Sequence, residues 1–162
     1  MPSVSITLLP ANARTLEAQF RMTVPNVPLP PADGSTGSRN DGQTCVLLAE
    51  DDRAVRRLLE VVLRRAGYQV LAAADGLEAM KLALSSAIDI VITDAMMPNL
   101  NGHELCRFIR NSDTLSHVPV ILLSALEQKE PAAQFEQADA FLSKPVSSET
   151  LIECIEKLLA GR

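Results

Sequence analysis

The chain has 162 residues, 47% of them hydrophobic and 22% charged, with a formal net charge of −5. That is enough for one domain-sized core plus a tail, and the acidic balance argues against a nucleic-acid-binding surface, which needs clustered Lys and Arg. No apolar run approaches the roughly 20 residues of a membrane helix, and the amino terminus lacks the charged-then-apolar layout of a signal peptide.

Residues 1–24 stand apart from the rest of the chain. Phe20-Arg21-Met22-Thr23-Val24 alternates apolar and polar and stops at Pro25, a strand pattern, and residues 3–9 offer a partner strand. Residues 25–43 turn to Pro28, Pro30, Pro31, Gly34, Gly37 and Gly42, a composition that forms no packed core and reads as a flexible linker. A single domain is expected over 44–162.

Within it strands and helices alternate. Cys45-Val46-Leu47-Leu48-Ala49 is an apolar run ending in Glu50-Asp51-Asp52. Val55, Leu58, Leu59, Val62, Leu63 and Ala66 then form one helical stripe, closed by Gly67. Gln69 to Ala73 reads as a second strand, and Asp75-Gly76 opens a helix with Leu77, Met80, Ala83 and Leu84. The β-branched run from Ile88 ends on Asp94 and breaks into Ala95-Met96-Met97-Pro98. A helix with Leu105, Phe108 and Ile109 on one face comes next, then a fourth strand over residues 118–124. A weak helical region over 131–137 leads to Ala140-Phe141-Leu142-Ser143 and Lys144-Pro145. Ser147 or Ser148 caps a last helix that turns Leu151, Ile152, Ile155, Leu158 and Leu159 inward. Strands joined by helices pair in parallel, so this is an α/β doubly wound sheet of five parallel strands.

The polar residues of interest each follow a strand: Glu50 and Asp51 the first, Asp94 the third, Ser124 the fourth, Lys144 the fifth. In a parallel sheet these ends share one edge, where open α/β sheets place ligands. Carboxylates about 4 Å apart at an effective dielectric near 20 repel by roughly 4 kcal/mol per pair. A hard cation relieves this, and all-oxygen ligation suits Mg²⁺, which uses one or two carboxylates plus a phosphate. A lysine and a hydroxyl nearby would then hold phosphoryl oxygens.

With these residues, 44–159 resembles the receiver domain of two-component response regulators. The resemblance rests on Glu50-Asp51, the Asp94-Ala95-Met96-Met97-Pro98 loop with Gly102, Ser124-Ala125, and Phe141-Leu142-Ser143-Lys144-Pro145. It implies a flavodoxin-like strand order 2-1-3-4-5 with helices on both faces. It implies that Asp94 takes a phosphoryl group from a phosphohistidine, supplied by a histidine kinase or a histidine phosphotransfer protein. Asp51 and Asp94 would ligate Mg²⁺ directly, Met96 through its backbone carbonyl and Glu50 through water. Lys144 and Ser124 would hold the phosphoryl group, Phe141 would act with Ser124 as the switch, and the Lys144-Pro145 bond would be cis. Such a module is not a conventional enzyme: it catalyses its own phosphorylation and slow dephosphorylation, and passes the signal to a partner protein. The other reading is a pseudo-receiver, an interaction scaffold that phosphorylation does not regulate.

Two departures stand out. The stretch from Ser124 to Lys144 is short by about half a helical turn, and Gln137 stands where the family usually has glycine. Residues 5–25 resemble the closing strands of a histidine kinase ATPase domain, with Ala18-Gln19 in place of the usual Gly-Thr. That would make the chain the C-terminal receiver of a hybrid histidine kinase; an unrelated tail is the alternative.

Several other signals point to nothing catalytic. His103-Glu104 has Arg107 four residues after His103, so there is no HExxH pair, and no GxGxxG or GxxxxGK occurs. Arg53, Arg56, Arg57, Arg64 and Arg65 make the first helix basic, either as a solvated face or as a docking surface for a histidine-bearing helical bundle. Cys45, Cys106 and Cys154 form no CxxC pair, which suits buried thiols in a reducing compartment and a cytoplasmic protein.

Overall fold

The computed structural model describes residues 42–125 and 137–161. The expected tail, nearly all of the linker, and the weak helical region apart from Gln137 lie outside the described residues.

Among the described residues nine elements follow one another: β1 (Cys45–Ala49), α1 (Arg53–Arg65), β2 (Gln69–Ala73), α2 (Gly76–Ser85), β3 (Ile90–Asp94), α3 (Gly102–Asn111), β4 (Val120–Ser124), β5 (Ala140–Ser143) and α4 (Ser148–Ala160). All strand pairs are parallel, and the order β2-β1-β3-β4-β5 is the expected one. The apolar runs from Ile88 and Val118 begin two residues before their strands, and both residues are buried in the approach to the sheet.

α1 and α4 pack together on one side of the sheet, and α2 and α3 on the other. Under α1 and α4, Val46, Leu48, Ile90, Ile92, Ile121 and Leu123 meet Leu59, Leu63, Leu151 and Ile155. Each fully buried Leu or Ile stabilises the fold by about 1.5–3 kcal/mol relative to exposure.

Each helix starts on a side-chain cap. Asp52 accepts from Ala54 N and Val55 N at the head of α1, Asp75 from Glu78 N at α2, and Ser147 from Thr150 N at α4. Asn101 and Glu104 form a reciprocal capping box at α3. Gly67 ends α1 with φ 93°, a conformation that favours glycine.

Two helical stripes are centred differently from the sequence expectation. Leu58 is 63% exposed and Ala66 is exposed as well. At 3.6 residues per turn, Leu58 lies about 120° round the helix from the midpoint of Leu59 and Leu63, the two side chains that reach the core. On α2 the buried line is Gly76, Ala79, Met80 and Ala83. Leu77 and Leu84 flank it by roughly 90–110° and are each 39% exposed.

Candidate functional site

The strand ends are level. Ala49 pairs with Ala73 and Thr93, Asp94 with Leu123, and Ser124 with Ser143. The residues that follow β1, end β3 and β4, and follow β5 therefore gather at one edge of the sheet. Lys144 is held there by its own N–H, which donates to Ser124 O at 2.8 Å, and Lys144-Pro145 is cis.

Lys144 is the hinge of the cluster. Its Nζ donates to Glu50 Oε2 at 2.7 Å and to Asp94 Oδ2 at 2.8 Å. Glu50 is 1% exposed and Asp94 8%. Ligand oxygens of Glu50, Asp51 and Asp94 all lie within 4.8 Å of one another. Burial pushes the Glu50 carboxyl above its ordinary pKa, against the opposing hydrogen bond from Lys144. For Lys144 burial works the other way, but the bonds to Asp94 and Glu50 outweigh it and raise the ammonium's pKa. At neutral pH Lys144 is therefore a fixed cation.

The three consecutive acids after β1 have separate surroundings. Glu50 points inward and also accepts from Asp52 N at 3.3 Å. Asp52 turns away to cap α1, and its bonds to Val55 N and Ala54 N hold its pKa below the usual range. Asp51 is exposed, and its carboxylate accepts no hydrogen bond from the described residues. The ammonium of Lys144 bonds two of the three carboxylates, and the third, Asp51, has no donor among the described residues. An all-oxygen set of this charge fits a hard divalent cation of the Mg²⁺ type.

The loop after Asp94 is fixed by close approach. A Cβ at Gly102 would lie 2.1 Å from Asp94 O, and one at Gly76 would lie 2.0 Å from Leu100 O. Only glycine lets the helix starts come so near the loop that follows β3. Asn99 takes φ 68° in the same loop, a conformation that Asn tolerates better than most side chains. Met96 N donates to Asp94 Oδ1 at 3.2 Å, while the Met96 side chain is 67% exposed.

Of the residues anticipated from sequence, Glu50, Asp51, Asp94 and Lys144 are brought into one cluster. Ser124 is half-buried at the end of β4, one residue past the partner of Asp94. Phe141 is half-buried on β5 opposite Leu122. His103 and His117 are not among the clustered residues. Two residues escaped the sequence reading. Asp52 was legible as a helix cap, because an acid directly before the first helical turn is a start signal. Arg56 was not: counted with the basic face of α1, it reaches back to donate to Glu50 O and Asp51 O.

Comparison with known proteins agrees with this geometry. Residues 46–156 match the response regulator receiver domain family. DivK, a polar-differentiation response regulator of Brucella anthropi, is 30% identical over 116 residues, 70% of this chain and 94% of DivK. RpaA of Synechocystis sp., a DNA-binding master transcriptional regulator, is 33% identical over 116 residues, 70% of this chain but only 48% of RpaA. The chain thus spans about half the length of such regulators. The crystal structure of TrrA from Thermotoga maritima, in complex with Mg²⁺ and BeF, superposes with a TM-score of 0.67 at 31% identity, over 72% of this chain and 100% of TrrA. The chain belongs to the response regulator receiver domain family. It is a phosphoacceptor module of two-component signalling.

Proposed function

We propose that Asp94 is the phosphoacceptor and that Glu50, Asp51, Ser124 and Lys144 serve it. The observation behind this is the Lys144 bridge between Glu50 and a nearly buried Asp94 at the carboxyl end of β3. The donor is a phosphohistidine on a histidine kinase or a histidine phosphotransfer protein. An Asp94 carboxylate oxygen attacks phosphorus in line, the P–N bond breaks, and the imidazole departs with the electron pair. The product is a mixed anhydride on Asp94.

The side chains do most of the work by position. Lys144 already lies 2.8 Å from the acceptor carboxylate, within reach of phosphoryl oxygens once they are attached. Ser124, at the end of the neighbouring strand, supplies a hydroxyl to the same group. Asp51, Asp94 and the Met96 backbone carbonyl would hold Mg²⁺, with Glu50 acting through water. When bound, the ion supplies charge that offsets the developing negative phosphoryl oxygens. Ser124 and Phe141 form the switch that reports the phosphorylated state. Release of phosphate is slow and self-catalysed; the module does no other chemistry.

Residues 44–162 form the receiver, 25–43 a linker and 1–24 a preceding segment, on the reading that the chain comes from a hybrid kinase. No helix among the described residues is long and apolar enough to cross a membrane, and we assign the domain to the cytoplasm, with output through a protein partner. The test is direct. Incubation with Mg²⁺ and a small phosphodonor such as acetyl phosphate should place a base- and hydroxylamine-labile phosphate on Asp94. Labelling that survives Asp94→Ala would overturn the assignment.

A further inference from the structure

We infer that Arg56 is a positioning residue for the Asp51 carboxylate. The inference rests on the proposed metal site and extends it to a residue outside the acidic cluster. Arg56 belongs to the basic stripe of α1, yet the residue is half-buried and its guanidinium reaches back to the β1–α1 loop. Its Nη1 donates to Glu50 O at 2.6 Å and to Asp51 O at 3.1 Å.

Those two carbonyls are not an arbitrary pair. The first belongs to the peptide plane before the Asp51 Cα, the second to the plane after it. One nitrogen that holds both planes fixes φ and ψ at Asp51, and so the direction of its Cα–Cβ bond. The rest of the loop is held separately: Glu50 by Lys144, Asp52 by the N–H groups of α1, and the Asp52 N–H, on the plane after Asp51, by a longer 3.3 Å bond to Glu50 Oε1. Asp51 has no side-chain donor among the described residues, and its aim comes from the backbone alone. Arg57, the next residue, is spent differently, on an exposed pair with Glu60.

Charge and geometry predict opposite signs here. A guanidinium acting only through its charge repels a divalent cation, so its removal tightens metal binding. A guanidinium that aims a ligand does the reverse, and loss of a partner behind a metal ligand typically costs about tenfold or more in metal affinity.

The experiment is calorimetric titration of the full chain with Mg²⁺, in wild type, Arg56→Ala, Arg56→Lys, Arg57→Ala and Asp51→Asn. Folding is checked by thermal melting, and acetyl phosphate labelling is followed against Mg²⁺ concentration. Arg56→Ala should weaken Mg²⁺ binding by about tenfold and shift the Mg²⁺ dependence of labelling equally, with the rate recovering at saturating Mg²⁺. Arg57→Ala should leave binding unchanged or slightly tighter. Arg56→Lys keeps the charge and a shorter-reaching donor, and should fall between wild type and Arg56→Ala. Unchanged or tighter binding by folded Arg56→Ala overturns the proposal, as does a labelling defect that saturating Mg²⁺ does not repair. Should Arg56→Ala fail to fold, Arg56→Lys decides: weaker binding than wild type supports the proposal, equal binding overturns it. If Asp51→Asn binds Mg²⁺ as wild type does, the metal-site reading fails first and this inference with it, an outcome visible without any change at Arg56.

Discussion

The two edges of the sheet use aspartate in opposite ways. At the amino edge, Asp89 stands one residue before β3 and Asp139 one residue before β5. Each exchanges two bonds with the first residue of the adjacent strand. Asp89 N donates to Cys45 O at 2.9 Å, and Asp89 Oδ2 accepts from Cys45 N at 2.8 Å. Asp139 N donates to Val120 O at 2.9 Å, and Asp139 Oδ2 accepts from Val120 N at 2.7 Å. Asp139 also meets Arg110, which donates to Gln137 O, Ser116 O and Val118 O as well. These acids close strand ends whose N–H groups would otherwise lack partners. At the carboxyl edge, three acids crowd one lysine and Asp51 is left over. A satisfied network holds a fold; an under-compensated one is ready for a ligand.

Asp89 and Asp94 flank the same strand, which makes the comparison easy to break. The largest effect should be on chemistry: Asp94→Ala reduces phosphodonor labelling to background, while Asp89→Ala, if folded, retains labelling of Asp94. Equal loss in both would erase the distinction between the edges.

Stability should sort the other way. Asp89→Ala and Asp139→Ala each leave a strand N–H without its acceptor and should cost about 1–3 kcal/mol in denaturant unfolding. Asp51→Asn in chelator should cost nothing measurable, or should stabilise, because it removes one of three mutually repelling charges. Added Mg²⁺ should then raise the melting temperature of wild type more than that of Asp51→Asn.

Lys144→Met tests the electrostatics of the open edge through pH. Burial raises the Glu50 pKa and Lys144 opposes that rise. Without the lysine, the ionised Glu50 becomes a buried charge with less compensation, and its pKa rises further. An acid with a raised folded pKa destabilises the fold only where it is ionised. In chelator the variant should therefore be less stable than wild type at neutral pH. The gap should narrow as pH falls toward the ordinary glutamate value of 4.5. A gap that stays constant with pH would show that lost packing, not charge, explains it.

The smallest expected effect is a reporter of the closed edge. Burial pushes the Cys106 thiol up to about 12, with Arg110 and Asp139 close enough to act on it. Alkylation of the native protein at mildly alkaline pH should reach half-buried Cys154 first and spare Cys106. Asp139→Ala should speed modification of Cys106 relative to wild type.

The sequence made the open edge far more legible than the closed one. Acids and a lysine placed directly after short apolar runs fall at strand ends, and parallel pairing brings those ends together. Strand order came through family resemblance, not from the alternation of strands and helices, which leaves the order free. Arg56 and Arg110 were hidden for a common reason. A long guanidinium side chain reaches backbone several residues or a whole element away, and nothing local marks which arginine turns inward. Leu58, Leu77 and Leu84 were misplaced because an i, i+3, i+4 pattern gives a stripe's existence but not its midline. The neighbours Asp51 and Asp52 are separated by register alone: the acid directly before α1 caps it, and the one before that is left without a side-chain donor among the described residues.

The place of Lys144 in the sheet has a mechanical consequence. The lysine follows β5, a four-residue strand at the outer end of the sheet, bonded among the described residues to β4 alone. Asp94 ends β3, which is laced on both sides by β1 and β4. A pull between the two is therefore unequal: moving β3 strains two ladders, moving β5 strains one. Asp94 behaves as the anchored end of a spring and the lysine as the compliant end. Displacement at the site is delivered to the outermost strand, the one that also bears Phe141.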